Sequence, residues 1–284
     1  MMERPASRWL DDGRLALSHG PIDLILSAEG PAADVAYDAA TRRFDTILEE
    51  LAAELPHLRA PDMPVGGAVA HRMAAATGPH RPATYVTPMA AVAGAVADEI
   101  LAAMRSAGPL TRAIVNNGGD IAIHLAPGTT ANARIAFADG STAGNVHLCA
   151  EDPIRGIATS GRHGRSLSLG IADSVTALAS TAAAADAAAT LIANGVDLVG
   201  HPSVTRVLAE ELDPDSDLAG RLVTTACAPL HRVEIAAALS AGATVAESMR
   251  ERGLIAAAAL FLQGRVKLVG PHFKPLSPKE WSNR

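Results

Sequence analysis

Residues 115–125 read VNNGGDIAIHL, a strand-like run broken in its middle by Asn116, Asn117, Gly118, Gly119 and Asp120. The apolar, β-branched residues on either side favour a pleated, half-buried surface. A glycine pair weakens a strand, because it has no side chain to pack and more chain entropy to lose. Two readings are therefore open. The pair is a type I′ hairpin turn, where Asn and Gly supply positive φ, or it is a point where another group approaches the backbone closely.

Further strand-like segments follow it: ARIAFADGS, VHLCAED and RGIATSG, each bounded by Gly, Pro or Asn. Their succession predicts an antiparallel meander. Upstream, GRLALSHGPIDLILSAEG alternates polar and apolar residues around His19-Gly20-Pro21, as a hairpin of half-buried strands does. From Pro31 to about Leu55 the apolar residues Val35, Phe44, Ile47, Leu48 and Leu51 recur at mostly helical spacing, with Pro56 closing the run. The Pro/Gly-rich stretch at about 56–86 brackets the short helical piece AVAHRMAAA and reads as a surface excursion. From Thr87, TPMAAVAGAVADEILAAMRSAG has Pro near its start and Gly just past its end, both helix signals. DSVTALAS, a strand, runs into TAAAADAAATLIANGV, a helix ended by Asn194-Gly195. Helices are also expected around Ser203–Glu211 and Val233–Arg252, and ALFLQGRVKLV closes as a hairpin. The expectation is a single α+β domain over residues 1–284, with Ala-rich helices on one face of a largely antiparallel sheet.

A chain of 284 residues, 49% apolar and 19% charged, is long enough for a sizeable core. Its net charge of −6 and the lack of a long basic run exclude a nucleic-acid surface. Cys149 and Cys227 form no metal-ligand spacing and read as buried free thiols. The N-terminus shows no signal peptide, and LIAAAALFL is too short to cross a bilayer, so a cytoplasmic protein is expected. Alanine makes up roughly a fifth of the chain, well above ordinary usage. Two Ala-rich helix starts echo one another: Thr87–Asp98 and Ser180–Thr190 each join an opening Thr to an Asp among small residues. An internal duplication and shared composition explain the echo equally well.

Asp186 and Thr190, four apart, share one helix face among alanines. A carboxylate and a hydroxyl so placed offer hard oxygen ligands suited to Mg²⁺; a solvated Asp with Thr as filler is the alternative. RGIATSGRHGRS sets amides, hydroxyls, two guanidinium groups and an imidazole together, either as an anion site or as a polar loop. His71-Arg72 is a weaker contact candidate, and His124 reads as a hydrogen-bonded ring on a strand face. No GxSxG, HExxH, P-loop or GxGxxG motif occurs.

Four stretches resemble, in order, the ApbE-like FAD:protein FMN transferases. AIVNNGGDIAIHL resembles that superfamily's V-N-x-G-G-D-[IL], GIATSG its A-T-S-G and ADAAATLI its A-D-A-x-x-T, while TPMAAVAGAVAD is similar to D-L-G-x-I-A-K-G-x-x-x-D. Over nearly its whole length the chain looks like an uncharacterised branch of that superfamily. The resemblance implies a T-fold-like core and a cleft for FAD or another phosphorylated ligand. It also implies Mg²⁺ held by Asp186, Thr190 and the backbone carbonyl of Ala90, together with an acceptor protein and a homo-oligomer. Ligand contacts would come from Thr87, Gly118, Gly119, Asp120, Thr159, Ser160, Gly161, Arg162 and His163, with Arg165 as a further anion contact. In that setting the glycine pair lines the cleft, where a ligand or a neighbouring helix comes close, and Asn116, Asn117 and Asp120 are supporting groups. The chain also departs from the pattern. Thr87 and Ala93 stand where the superfamily has Asp and Lys, and GRHGRSLSLGIADS, with His163 and Asp173, replaces H-x-I-D-P-x-T-G. The lipoprotein signal common in the superfamily is missing as well. Metal-assisted transfer of altered specificity is one expectation; a non-catalytic ligand-binding protein is the other.

Overall fold

Alternating burial builds the first sheet. β2 (Leu15–His19) buries Leu15 and Leu17 and exposes Ser18, while β3 (Ile22–Glu29) buries Ile22, Leu24 and Leu26 on the same face. They follow β1 (Ala6–Trp9), an exposed edge strand that sequence reading missed. The computed structural model describes residues 4–136 and 142–275. Its chain groups into two compact units: Met1–Thr129 with Pro153–Ala158 and Ala179–Ala187, and Thr130–Asp152 with Thr159–Leu178 and Ala188–Arg284.

In the first unit, α1 (Ala33–Leu58) turns Ala36, Ala40, Phe44, Ile47 and Leu51 inward at helical spacing. Pro56 was expected to close it, but the helix runs on to Leu58 with Pro56 in its last turn. α2 (Ala68–Thr77) buries Val69, Ala70 and Met73 in the core, so the stretch at about 56–86 is not merely a surface excursion. Glu54 of α1 holds it by accepting the amides of Gly66 and Gly67 at 2.6 and 2.7 Å. A 3₁₀ turn at Gly78–His80 follows, and a second at Pro88–Ala91 leads into α3 (Val92–Ser106). The three helices are tied together by Glu99 of α3, which accepts Arg43 of α1 and Arg72 of α2, both at 2.9 Å. β4 (Arg112–Asn117) pairs antiparallel with β3 and with β5 (Asp120–Leu125). Leu24, Leu26, Phe44, Ile47, Met73, Ile100 and Met104 are almost wholly buried in this core. Each such side chain stabilises the fold by about 1.5–3 kcal/mol.

The expected meander is corrected here. β6 (Thr130–Ala136) and β7 (Thr142–Cys149) pair with each other in the second unit, and β8 (Gly156–Ser160) returns to pair with β5. The rest of the expected strand ARIAFADGS, from Phe137 onward, lies outside the described residues. β9 (Ser174–Ala179) leads into α4 (Ala182–Gly195), which begins in the first unit and continues into the second and ends at the expected glycine. The helix expected around Ser203–Glu211 is another correction. β-branched Val204, Thr205 and Val207 form β10 (Val204–Leu208), followed by a single turn, α5 (Ala209–Leu212). β10 pairs with β11 (Leu222–Cys227), a partner that local propensity cannot reveal. α6 (Arg232–Glu251) then precedes the hairpin of β12 (Ala257–Leu262) and β13 (Arg265–Val269). β12 pairs with β9, and β14 (Phe273–Pro275) with β7. All these pairings are antiparallel, and the α+β class expected from sequence holds. Both cysteines are free and half-buried rather than buried. No helix among the described residues is long and apolar enough to cross a membrane.

Gly156 of β8 lies directly under the start of α4: a Cβ there would sit 2.0 Å from the carbonyl oxygen of Thr181. Gly156→Ala should therefore lower stability by about 1–3 kcal/mol or more in urea denaturation, since backbone cannot yield as a side chain can. Unaltered stability would mean that helix and strand separate at little cost.

Candidate ligand and metal site

The first N–H groups of any helix lack intrahelical partners, and the N-cap of α3, Ala91, has no side chain able to accept them. Asp186 of α4 supplies the acceptor. Its Oδ2 takes the amide hydrogen of Gly94 at 3.0 Å, and its carboxylate also accepts from Ala93. The converse holds for α4, where Asp98 of α3 accepts the amides of Ala182 and Ala183 at 3.0 and 2.9 Å. Each helix thus carries the aspartate that caps the other. Caps of this kind contribute about 1 kcal/mol each, and negative charge at a helix N-terminus adds to that. The crossing is tight: a Cβ on Gly94 would lie 2.3 Å from the carbonyl oxygen of Ala182.

Asp186 is half-buried, and its carboxyl is held well above the ordinary carboxylate range. Burial is the main cause and the charge of Asp120 the next; the bonds from Gly94 and Ala93 oppose them, and Asp98 adds to the rise. Asp98 is raised too, by burial, against the opposing bonds from Ala183 and Ala182 and the charge of Arg72. Negative charge is therefore crowded around Asp186, and either a proton or a cation relieves it. Among the described residues no three His, Cys, Asp or Glu side chains are grouped to hold a metal. Any cation at Asp186 would rely on neutral oxygens for its other protein ligands. Thr190 stands one helical turn further along α4, its hydroxyl 3.4 Å from Ser160 Oγ. Ala90 lies in the 3₁₀ turn that opens α3, where buried Thr87 accepts its amide at 3.2 Å.

VNNGGDIAIHL is a two-residue hairpin: Asn117 pairs with Asp120, and Gly118 and Gly119 take φ of +63° and +113°. Asn116 Oδ1 accepts the Gly119 amide at 2.8 Å. A Cβ on either glycine would meet no atom within 4 Å, which corrects the expectation that a neighbouring helix comes close. Positive φ, not crowding, requires glycine here. Asn117 donates to the carbonyl of Ala93 at 3.0 Å, tying the hairpin to the first turn of α3, a supporting role of the kind expected.

In the second unit the expected anion contacts are already engaged. Arg162 donates from Nε and Nη2 to Asp173 Oδ1 at 3.1 and 2.7 Å, and His163 Nε2 lies 3.4 Å from the same oxygen. Asp173 also accepts the Gln263 amide. A phosphate would have to compete with this carboxylate for Arg162 and for His163. Gly161 is needed for close approach, since its Cβ would lie 2.6 Å from the Asp173 carbonyl oxygen, and Thr159 shares a hydrogen bond with Thr176 at 2.9 Å. Arg165 is exposed. His71 is bonded to the Gly67 carbonyl and Arg72 to Glu99. His124 bonds to the Leu110 carbonyl at 3.1 Å, and burial pushes its ring to a lower pKa. Sequence reasoning missed Asp98, though the echo between the two helix starts was its trace.

The architecture is therefore an α+β fold whose two Ala-rich helices cap one another beside a Gly-Gly hairpin. A family model described as "AbpE bacteria" matches residues 7–268, and the chain belongs to that family. A UPF0280 protein of Methanosphaerula palustris is 40% identical over 136 residues, 46% of this chain and 54% of that one. Another, from Methanopyrus kandleri, is 34% identical over 141 residues, 50% and 55% of the two chains. The chain spans about half the length of the curated relatives it matches. The flavin transferase ApbE from Vibrio cholerae aligns with a TM-score of 0.47 at 13% identity, covering 98% of this chain and 100% of that one.

Asp98 and Asp186 ionise less readily in the folded chain than in the unfolded one, where aspartate titrates near 3.9. The folded state therefore binds more protons above that pH, and stability falls as pH rises from about 4 through the raised folded values. Urea midpoints should decline over this range, and Asp186→Asn should flatten the decline. An equally steep decline in the variant would show that Asp186 does not carry it.

Proposed function

We propose that the chain binds a phosphorylated ligand, a flavin nucleotide in the first instance, together with Mg²⁺ at Asp186. The observation that carries this reading is the setting of Asp186, a carboxyl crowded by burial and by the charge of Asp120 at the N-terminus of α3. A divalent cation there offsets the repulsion, and hard oxygen donors are the ones Mg²⁺ prefers. The Ala90 carbonyl, in the same unit as Asp186, is a neutral ligand in this reading. Bound Mg²⁺ would supply charge neutralisation for the ligand's phosphates. The protein's part is to hold and orient: the first turn of α3 is fixed by Asp186 and Asn117, and the open turn of Gly118 and Gly119 leaves room for a ligand beside it. Membership of the AbpE family supports chemistry of the flavin-transferase type, onto an acceptor protein in this reading; Thr87 and Ala93, standing where the superfamily has Asp and Lys, support an altered specificity.

A second reading, a ligand-binding protein without catalysis, is favoured by one observation. Arg162 and His163 are engaged by Asp173, so neither side chain is uncommitted toward a transferring phosphate.

FAD and Mg²⁺ together should raise the melting temperature, by linkage, more than either does alone, and Asp186→Ala should abolish the Mg²⁺-dependent part. If the variant keeps the whole shift, the metal is not at Asp186. Mass spectrometry of a candidate acceptor after incubation with FAD separates the two readings: an added FMN mass supports transfer, an unchanged acceptor supports binding alone.

A further inference from the structure

Asp98 is assigned above neither to cation nor to ligand and acts on Asp186 only through its charge, yet it fixes the helix that carries Asp186. Its two carboxylate oxygens accept the amides of Ala182 and Ala183, the first residues of α4, and Asp186 and Thr190 follow four and eight residues after Ala182 on that helix. We propose that Asp98 is a positioning residue for the Mg²⁺ corner: it sets the rotation of α4 about its axis and thereby aims the Asp186 carboxylate. This rests on the reading that Asp186 holds the cation.

The geometry makes rotation the sensitive variable. A side-chain tip lies about 5–6 Å from a helix axis, so a turn of roughly 20° displaces it by about 2 Å. Metal–oxygen distances tolerate only about 0.2 Å. Gly94 and Gly156 let α3 and β8 meet the α4 backbone without a Cβ between them and so fix spacing, while the Gly94 amide holds the tip of the Asp186 side chain once α4 is turned to present it. Two separate amides held by two oxygens of one rigid carboxylate fix orientation as a single bond cannot. Thr181 caps the amide of Ala184 at 3.1 Å independently, so α4 keeps a cap when Asp98 is removed. Loss of Asp98 should thus loosen the aim of the helix before it unfolds the helix.

The test is calorimetric titration of Mg²⁺ into the full chain and into Asp98→Ala, Asp98→Asn, Asp186→Asn and Phe44→Leu. Phe44 is a buried residue of α1 outside the site and controls for lost stability. Asp98→Ala should weaken Mg²⁺ binding about tenfold or more, the size of effect seen when groups that orient metal ligands are removed. Asp98→Asn, which keeps one acceptor oxygen, should fall between it and the unaltered chain, and Phe44→Leu should bind normally. Should Asp98→Ala fail to fold, Asp98→Asn carries the comparison. Unchanged affinity in a folded Asp98 variant overturns the proposal, as does equal weakening by Phe44→Leu. Absence of Mg²⁺ binding in the unaltered chain overturns the reading of Asp186 itself, and the positioning role with it.

Discussion

Two helix N-termini meet near one point in the first unit, and every N–H group exposed there must find an acceptor or lose stability. The chain meets this demand by exchange. Asp98 of α3 serves the start of α4, and Asp186 of α4 serves the start of α3. Exchange requires close approach, which only small residues allow: Gly94 against Ala182, and Gly156 against Thr181. The glycines at Gly94 and Gly156 thus have a structural cause at this crossing. The hairpin of Asn116–Asp120 joins the same arrangement through Asn117, so sheet, α3 and α4 are fixed to one another by a few polar bonds surrounded by small apolar residues.

Much of this was legible in the sequence where the signal is local. Alternation around His19-Gly20-Pro21, the run to Leu55 and the Gly-terminated α4 were each readable, because a strand with one buried face and a helix with one buried stripe write their periods directly into the chain. What failed was the choice of partner. Val204–Leu208 has enough β-branched residues for a strand, yet a helix was expected around Ser203–Glu211, and only pairing with Leu222–Cys227 decides. β6 and β7 look locally like the next two strands after β5, but β5 pairs with β8 instead. Pro56 misleads differently: in the last turn of a helix its missing N–H and ring cost less than they would mid-helix.

Site residues divide along the same line. Asp186 and Thr190 stood out because polar residues on an alanine face are conspicuous. Asp98 did not, being one acid next to another, Glu99, and the two have opposite fates. Burial raises both, but Arg43 and Arg72 reverse the shift for Glu99, while Asp98 keeps its rise against two backbone amides and the charge of Arg72. No local rule distinguishes the neighbours. Nor does sequence reveal that Arg162 and His163 are held by Asp173, since a loop intervenes and the partner is set by the turn between β8 and β9.

Asp186 caps α3 and, in the proposed function, also holds a cation; the two demands are compatible. A carboxylate offers about four lone-pair directions on two oxygens. The amides of Gly94 and Ala93 use some of them, leaving others for a second donor or a cation. Capping even assists a metal ligand: it fixes the carboxylate's orientation and draws negative charge toward the helix terminus, so less ordering remains for the cation to impose. The cost is the crowding of Asp120 and Asp98 nearby, which favours a proton in the absence of a cation. Proton and cation would therefore compete for one carboxyl, and metal affinity should rise with pH for the same reason that stability falls with it. That opposition ties the crowded charge of Asp186 to the chemistry proposed for it.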